Sequence, residues 1–139
     1  MASKKLLEML NESIARELQV SIQYMWHYVM WRGVKGFSVK DELKKIAIAE
    51  MKHAEEIAER LFFLGGVPTT QHYPIDIPQD LKSMIEKDKQ AEEGGIALYK
   101  EVIKTAEQEG DIATAQIFKG ILVAEEEHLD TFTSLLEEI

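Results

Sequence analysis

The chain carries one pattern of carboxylates and histidine twice. Glu17 precedes Glu50 by 33 residues, and Glu50 opens Glu50-Met51-Lys52-His53; Glu92 precedes Glu125 by 33 residues, and Glu125 opens Glu125-Glu126-Glu127-His128. The second unit lies 75 positions after the first. Side chains three apart share one face of an α-helix. The repeat therefore asks for four helices in two matched pairs, with a lone Glu on one member of each pair and a Glu-x-x-His on the other.

The hydrophobic periodicity agrees, with apolar residues recurring every three or four positions in four segments. The first stripe runs Leu7, Leu10, Ile14, Glu17, Ser21, Tyr24, Tyr28, Trp31. The second runs Leu43, Ile46, Glu50, His53, Ile57, Leu64, with Arg60 or Leu61 filling the step between. The third runs Leu81, Ile85, Asp88, Glu92, Ile96, Tyr99, Ile103, Ala106, and the fourth Phe118, Ile121, Glu125, His128, Phe132, Leu135, Ile139. All six repeated Glu and His residues fall on these stripes.

The breaks are equally legible. Gly33 to Gly36 ends the first segment, and Ser38 with Asp41 reads as the N-cap of the second. Gly65-Gly66-Val67-Pro68 ends the second, Pro74, Pro78 and Asp80 precede the third, and Gly110-Asp111 parts the third from the fourth. The stretch from Gly65 to Gln79 spans roughly 50 Å if extended, more than the roughly 40 Å of a helix of about 27 residues. It can cross the whole bundle, while the other two connections are tight. Two antiparallel hairpins joined by one long crossover is the ferritin-like arrangement of four helices, expected as a single domain over residues 1–139.

Composition narrows the function. With 45% apolar and 29% charged residues, the chain has the balance of a soluble globular protein. The absence of cysteine removes disulfides, thiolate metal ligation and thiol catalysis, and it suits a reducing cytosol. No run approaches a membrane span, and Glu8 and Glu12 interrupt any signal-peptide reading of the first residues. A net charge of -9 with no basic stripe argues against nucleic acid as a partner and is compatible with attracting cations.

One Glu-x-x-His means little in a chain this rich in glutamate. The specific signal is the identical 33-residue interval in both halves and the apolar setting of all six residues. Four carboxylates converging on one core repel one another and take up protons, and each unpaired buried charge costs several kcal/mol. Two divalent cations neutralise them. Oxygen-rich ligation with one imidazole per ion suits iron or manganese better than zinc or copper.

The run Glu17-Leu18 through Gln23-Tyr24 to His27, then Glu50-Met51-Lys52-His53-Ala54, Glu92 with Gly95, and Glu125-Glu126 with His128 and Asp130, resembles bacterioferritin along almost the whole chain. The resemblance implies an intrasubunit di-iron ferroxidase centre of Glu17, Glu50, His53, Glu92, Glu125 and His128, with Tyr24 beside the ligand carboxylates. It implies that Fe(II) is oxidised by dioxygen or peroxide and stored as ferric mineral in a hollow shell, in the cytoplasm. Met51 matches the family's haem-ligating methionine, where two copies in a symmetric dimer sandwich one haem b; Ser21, Met25 and Lys44 stand where haem-contacting groups are expected. Two departures stand out. The family's fifth helix is absent from these 139 residues, which opens dimers and smaller shells beside the full cage. Lys45 and Ala49 replace the His and Asp of the family's inner-surface iron site, so iron transfer to the cavity is expected to differ.

Two rival functions share the same fold. One is a non-storing di-iron or di-manganese oxidase or peroxidase of rubrerythrin type, which the lack of cysteine would oblige to use a separate electron donor. The other is a non-enzymatic haem-binding dimer resting on Met51. Among the remaining residues, Gly94-Gly95 inside the third helix give room beside Glu92 or are simply tolerated. His27 reads as partly buried or at an interface rather than a ligand. Tyr99 faces the core within reach of the centre, His72 and Tyr73 lie in the crossover, and Trp26 and Trp31 are candidates for covering a dimer face.

Overall fold

The computed structural model describes residues 1–138; Ile139, the last position of the fourth stripe, lies outside the described residues. Its four helices are α1 (Lys4–Met30), α2 (Val34–Phe63), α3 (Leu81–Gln108) and α4 (Ile112–Glu138), and the described residues contain no strand. None of the helices is long and apolar enough to cross a membrane.

Local chemistry accounts for the helix ends. Ser3 caps α1 by accepting from the Leu6 amide at 3.0 Å, and Asp80 caps α3 by accepting from the Ser83 amide at 2.9 Å. The α3–α4 turn closes on Asp111, whose carboxylate takes the Thr114 amide (3.0 Å), the Thr114 hydroxyl (2.6 Å) and the Arg60 guanidinium of α2 (2.8 Å). Gly33, Gly65 and Gly110 hold positive φ at the three helix ends, where a side chain would be strained.

The start of α2 differs from the sequence expectation. The helix begins at Val34 rather than near Ser38, so Ser38 and Asp41 lie inside it and Gly36 does not break it. The reason is packing: a Cβ at Gly36 would fall 1.7 Å from Cδ1 of Trp31, so the first turn of α2 is laid against that indole. Trp31 is thereby 2% exposed and belongs to the core, not to an outer face, whereas Trp26 is exposed.

Helix α1 packs along α2 and α3 along α4, with α1 also against α3. The crossover follows α1 from end to end. Asn11 bonds both the Val67 carbonyl and the Thr69 amide, the Tyr73 amide reaches the Ala15 carbonyl at 3.3 Å, and the backbone of Asp76 meets Gln23 and His27. The anchors on α1 thus advance from residue 11 to residue 27 as the loop advances. This delivers α3 to the far end of α1, antiparallel to it, which is the ferritin-like connection.

The core is in two parts. Leu6, Leu10, Ile14, Ile57, Leu61, Tyr99, Val102, Phe118 and Ile121 form one, and Val20, Tyr24, Trp31, Leu43, Ile46, Ile85 and Phe132 the other. Between them lies a polar layer in which Glu17, Glu50, Glu92 and Glu125 are all 0% exposed.

Candidate metal centre

Each helix contributes to that layer: α1 brings Glu17, α2 Glu50 and His53, α3 Glu92, and α4 Glu125 and His128. The six residues singled out by the repeat form two overlapping groups. Ligand-type atoms of Glu17, Glu50, His53 and Glu125 lie within 4.8 Å of one another, as do those of Glu50, Glu92, Glu125 and His128. Glu50 and Glu125 belong to both groups, which places them between two ion-sized positions. The imidazoles of His53 and His128 stand side by side, with centroids 6.4 Å apart and planes 27° apart.

The hydrogen bonding is incomplete in a telling way. Nδ1 of His53 is 3.1 Å from Glu50 Oε1 and 3.2 Å from Glu125 Oε1. Nδ1 of His128 has no hydrogen-bond partner, with carboxylate oxygens 3.4 to 4.0 Å away, and Oε2 of Glu17 has none either. Buried polar atoms are seldom left unpaired. A donor set of four carboxylates and two imidazoles, with two of its atoms orphaned, fits a pair of divalent ions of the iron or manganese kind.

Around this set sit groups that hold it. Tyr24 donates to Glu92 Oε1 at 2.9 Å, and Tyr99 donates to Glu17 Oε1 at 2.5 Å. Both tyrosines are fully buried and pack edge-on against phenylalanines, Tyr24 on Phe132 and Tyr99 on Phe118. One shell further out, Asp88 accepts from Gln23 at 3.0 Å and pairs with His27, whose other nitrogen is 3.2 Å from the Asp76 carbonyl. His27 is thus wholly buried, more than its sequence position suggested, and it ties the crossover to α3 rather than joining the six.

Arg16 was not visible as a site residue in the sequence. It is 4% exposed, and its guanidinium reaches all four carboxylates: Glu17 (3.1 Å), Glu50 (3.2 Å), Glu92 (3.2 Å) and Glu125 (2.8 Å). The one available signal was indirect, a charged residue beside Glu17 flanked by Ser13 and Val20 at helical spacing, on a second inward face of α1.

The electrostatics follow. Burial pushes the Glu17 and Glu50 carboxyls well above the usual carboxylate range, with the repulsion of Glu125 adding at Glu17 and that of Glu17, Glu92 and Glu125 at Glu50. Burial raises Glu92 to about 7. Glu125 goes the other way: burial opposes its charge, but Arg16 and the bonds from Glu92, His53 and Glu50 hold it ionised. Burial likewise opposes the charge on Arg16, which Tyr99, Glu125, Glu92 and Glu50 outweigh, so it stays protonated. One guanidinium supplies part of the positive charge that two divalent ions would bring to this cluster.

Met51 lies on the opposite face of α2, 55% exposed, and borders a shallow apolar groove of about 280 Å³ with Leu18, Ile22, Met25, Tyr28 and Ile48. His72 and Tyr73 are exposed in the crossover, Lys45 is exposed and Ala49 half-buried on α2.

Comparison with known proteins agrees with this architecture. The profile of the ferritin-like domain matches residues 7–139. The bacterioferritin of Desulfovibrio desulfuricans is 35% identical over 94% of this chain and 74% of its own length, and that of Brucella melitensis 31% identical over 96% and 83%. The fold superposes with a TM-score of 0.92 on the bacterioferritin of Rhodobacter capsulatus, at 27% identity and covering 98% of this chain and 86% of that one. That structure is described as having a metal-free dinuclear site and a haem iron on a crystallographic special position. The match to the ferritin-like domain, the 35% and 31% identity to bacterioferritins over nearly the whole chain and the superposable fold place this chain in the bacterioferritin family of ferritin-like proteins.

Proposed function

We propose that the protein is a ferroxidase that takes up Fe(II) between Glu17, Glu50, His53, Glu92, Glu125 and His128, oxidises it with dioxygen or peroxide, and serves iron storage and detoxification in the cytoplasm. The observation that carries this reading is the pair of overlapping buried groups sharing Glu50 and Glu125, with Glu17 Oε2 and His128 Nδ1 unpartnered. Two Fe(II) ions, each giving up one electron, supply the two electrons a bound oxidant takes. Manganese would fit the same donors, and the choice of oxidant is left to the chemistry of the ion.

The protein's own part in the reaction follows from the geometry. Glu50 and Glu125, common to both groups, would serve both ions; Glu17 with His53 would hold one and Glu92 with His128 the other. The hydrogen bonds from Tyr24 and Tyr99 fix the orientation of Glu92 and Glu17. Apolar half-cores on either side keep the four carboxylates buried, while the edges of His53 and His128 reach the surface. Burial raises Glu92 to about 7, so a metal ion would compete with a proton there.

The same proposal includes self-association, as a dimer and then a larger shell, through the exposed α1–α2 face that carries Met51, with haem b held between two Met51 side chains. The exposure of Met51 beside an apolar groove supports it.

The test is an aerobic Fe(II) titration of metal-free protein. A fast phase saturating at about two irons per chain is expected, followed by continued soluble uptake; precipitation beyond that point would favour a non-storing oxidase. Glu125→Ala with His128→Ala should abolish the fast phase while helical circular dichroism persists. Retained fast oxidation in that double variant would sink the assignment.

A further inference from the structure

Three of the four carboxylates divide their oxygens between two sides. Oε1 of Glu50, Glu92 and Glu125 faces the histidines: 3.1 Å from His53 for Glu50, 3.2 Å from His53 for Glu125, and 3.6 Å from His128 for Glu92. Oε2 of the same three residues faces Arg16. Glu17 does not divide in this way: its Oε1 takes Arg16 and Tyr99 and also lies 3.8 Å from His53 Nδ1, while its Oε2 is free. Each carboxylate thus spends one oxygen on the guanidinium and presents the other elsewhere.

Arg16 is built into this position. Its Nη2 is 3.0 Å from the Ala91 carbonyl of α3, an anchor outside the carboxylate set. A Cβ at Gly95 would fall 2.5 Å from Cζ and 2.8 Å from Nε and Nη1, so the guanidinium fills the space that a missing side chain on α3 leaves. The buried Gly95 therefore makes room for Arg16, while Gly94, with nothing near it, has no such role.

We propose that Arg16 is a resident counter-cation of the centre. It holds the far-side oxygens so that four carboxylates converge before any metal arrives, and its fixed charge weakens the binding of divalent ions on the histidine side. The inference rests on the metal-centre reading above and adds what sets the strength of that site. A guanidinium is bidentate, permanently charged and weakly hydrated, so it suits such a place better than an ammonium. One positive charge a few ångströms from an incoming dication, in surroundings of low dielectric, opposes binding strongly. The same charge removes repulsion that would otherwise loosen the metal-free bundle. Arg16 is a positioning residue in this scheme: it touches Glu50, Glu92 and Glu125 on the oxygens turned away from the histidines, and Glu17 on Oε1.

The experiment compares wild type, Arg16→Gln, Gly95→Ala and Arg16→Lys. Co(II) affinity is read by its visible absorption and by calorimetry, and thermal unfolding is followed with chelator present. Arg16→Gln should bind Co(II) at least about tenfold more tightly than wild type while its metal-free unfolding midpoint falls. Gly95→Ala keeps every charge but drives the guanidinium from its slot. It should move both quantities in the same directions, although alanine is the better helix former. Arg16→Lys, which keeps a charge in the slot, should stay near wild type in affinity.

A merely structural arginine would lower stability without tightening metal binding. Equal Co(II) affinity in wild type and Arg16→Gln therefore overturns the proposal and leaves the metal centre standing. An Arg16→Lys affinity as high as that of Arg16→Gln overturns it too. No binding by any of the four proteins removes the metal-centre reading, and this inference with it. An Arg16→Gln chain that folds only when Co(II) is added supports the proposal. If it stays unfolded even then, Gly95→Ala decides, and a wild-type affinity there is a refutation.

Discussion

Tyr24 of α1 donates a 2.9 Å hydrogen bond to Oε1 of Glu92 on α3, while the other oxygen of that carboxylate is held by Arg16 at 3.2 Å. One residue is thus fixed from both sides by α1, across the interface between the two hairpins. Tyr24→Phe removes one of these restraints without changing volume appreciably. Loss of a buried hydrogen bond to a carboxyl costs about 1–3 kcal/mol. We expect the variant to unfold at lower temperature, to keep binding metal, and to oxidise Fe(II) more slowly. Stopped-flow absorbance on the variant checks this; an unchanged rate would show that the orientation of Glu92 does not depend on Tyr24.

The metal-free protein should lose stability as pH rises through the neutral range. Burial raises Glu92 from the ordinary 4.5 to about 7, and burial raises Glu17 and Glu50 as well. A carboxyl with a raised folded pKa binds its proton more tightly when folded. Its stabilising contribution is whole below the unfolded value and is lost as pH climbs through the folded one. The opposite contribution of Glu125, held low chiefly by Arg16 against the pull of burial, is lost only in acid. Denaturant midpoints with chelator should be higher at about pH 5 than at about pH 8, and Glu92→Gln should flatten the difference. Added Mn(II) should reverse the trend, because ionised carboxylates bind it.

Asp111 carries the α3–α4 turn through three hydrogen bonds, two of them from Thr114 and one from Arg60 on α2. Asp111→Ala should cost about 1–2 kcal/mol. Because the turn is one end of the bundle, Co(II) affinity should be unchanged within error. A weakened metal site in this variant would mean that the end of the bundle and its centre are more tightly coupled than the two separate half-cores suggest.

The proposed haem ligation is tested at Met51. The side chain is exposed on α2 beside an apolar groove, on the face proposed to meet a second copy. Protein reconstituted with haem should show a methionine-ligated absorption spectrum that Met51→Leu abolishes, with the oligomer size by light scattering retained. A spectrum that survives the substitution would assign the axial ligand elsewhere.

The sequence determined a good deal by itself. A helix brings residues three or four apart to one face, so the 33-residue interval and the two Glu-x-x-His units were enough to name the six converging side chains and the helices that bear them. The glycine-marked ends of α2 and α3 and the reach of the crossover were legible because they depend on local chemistry and chain length. What periodicity could not register was the second buried face of α1. Ser13, Arg16, Gln23 and His27 are polar, so a search for apolar spacing passed over them, yet all four are buried. For three of them the partners lie far along the chain: Asp88 for Gln23 and His27, and Glu50, Glu92 and Glu125 for Arg16. The early start of α2 belongs with them, since Gly36 continues the helix only because the indole of Trp31 lies against it. Spacing along one helix fixes which side chains share a face. Only the packing of α3 on α1, with Gly95 open opposite Arg16, decides that a guanidinium rather than water or another carboxylate fills the far side of the centre.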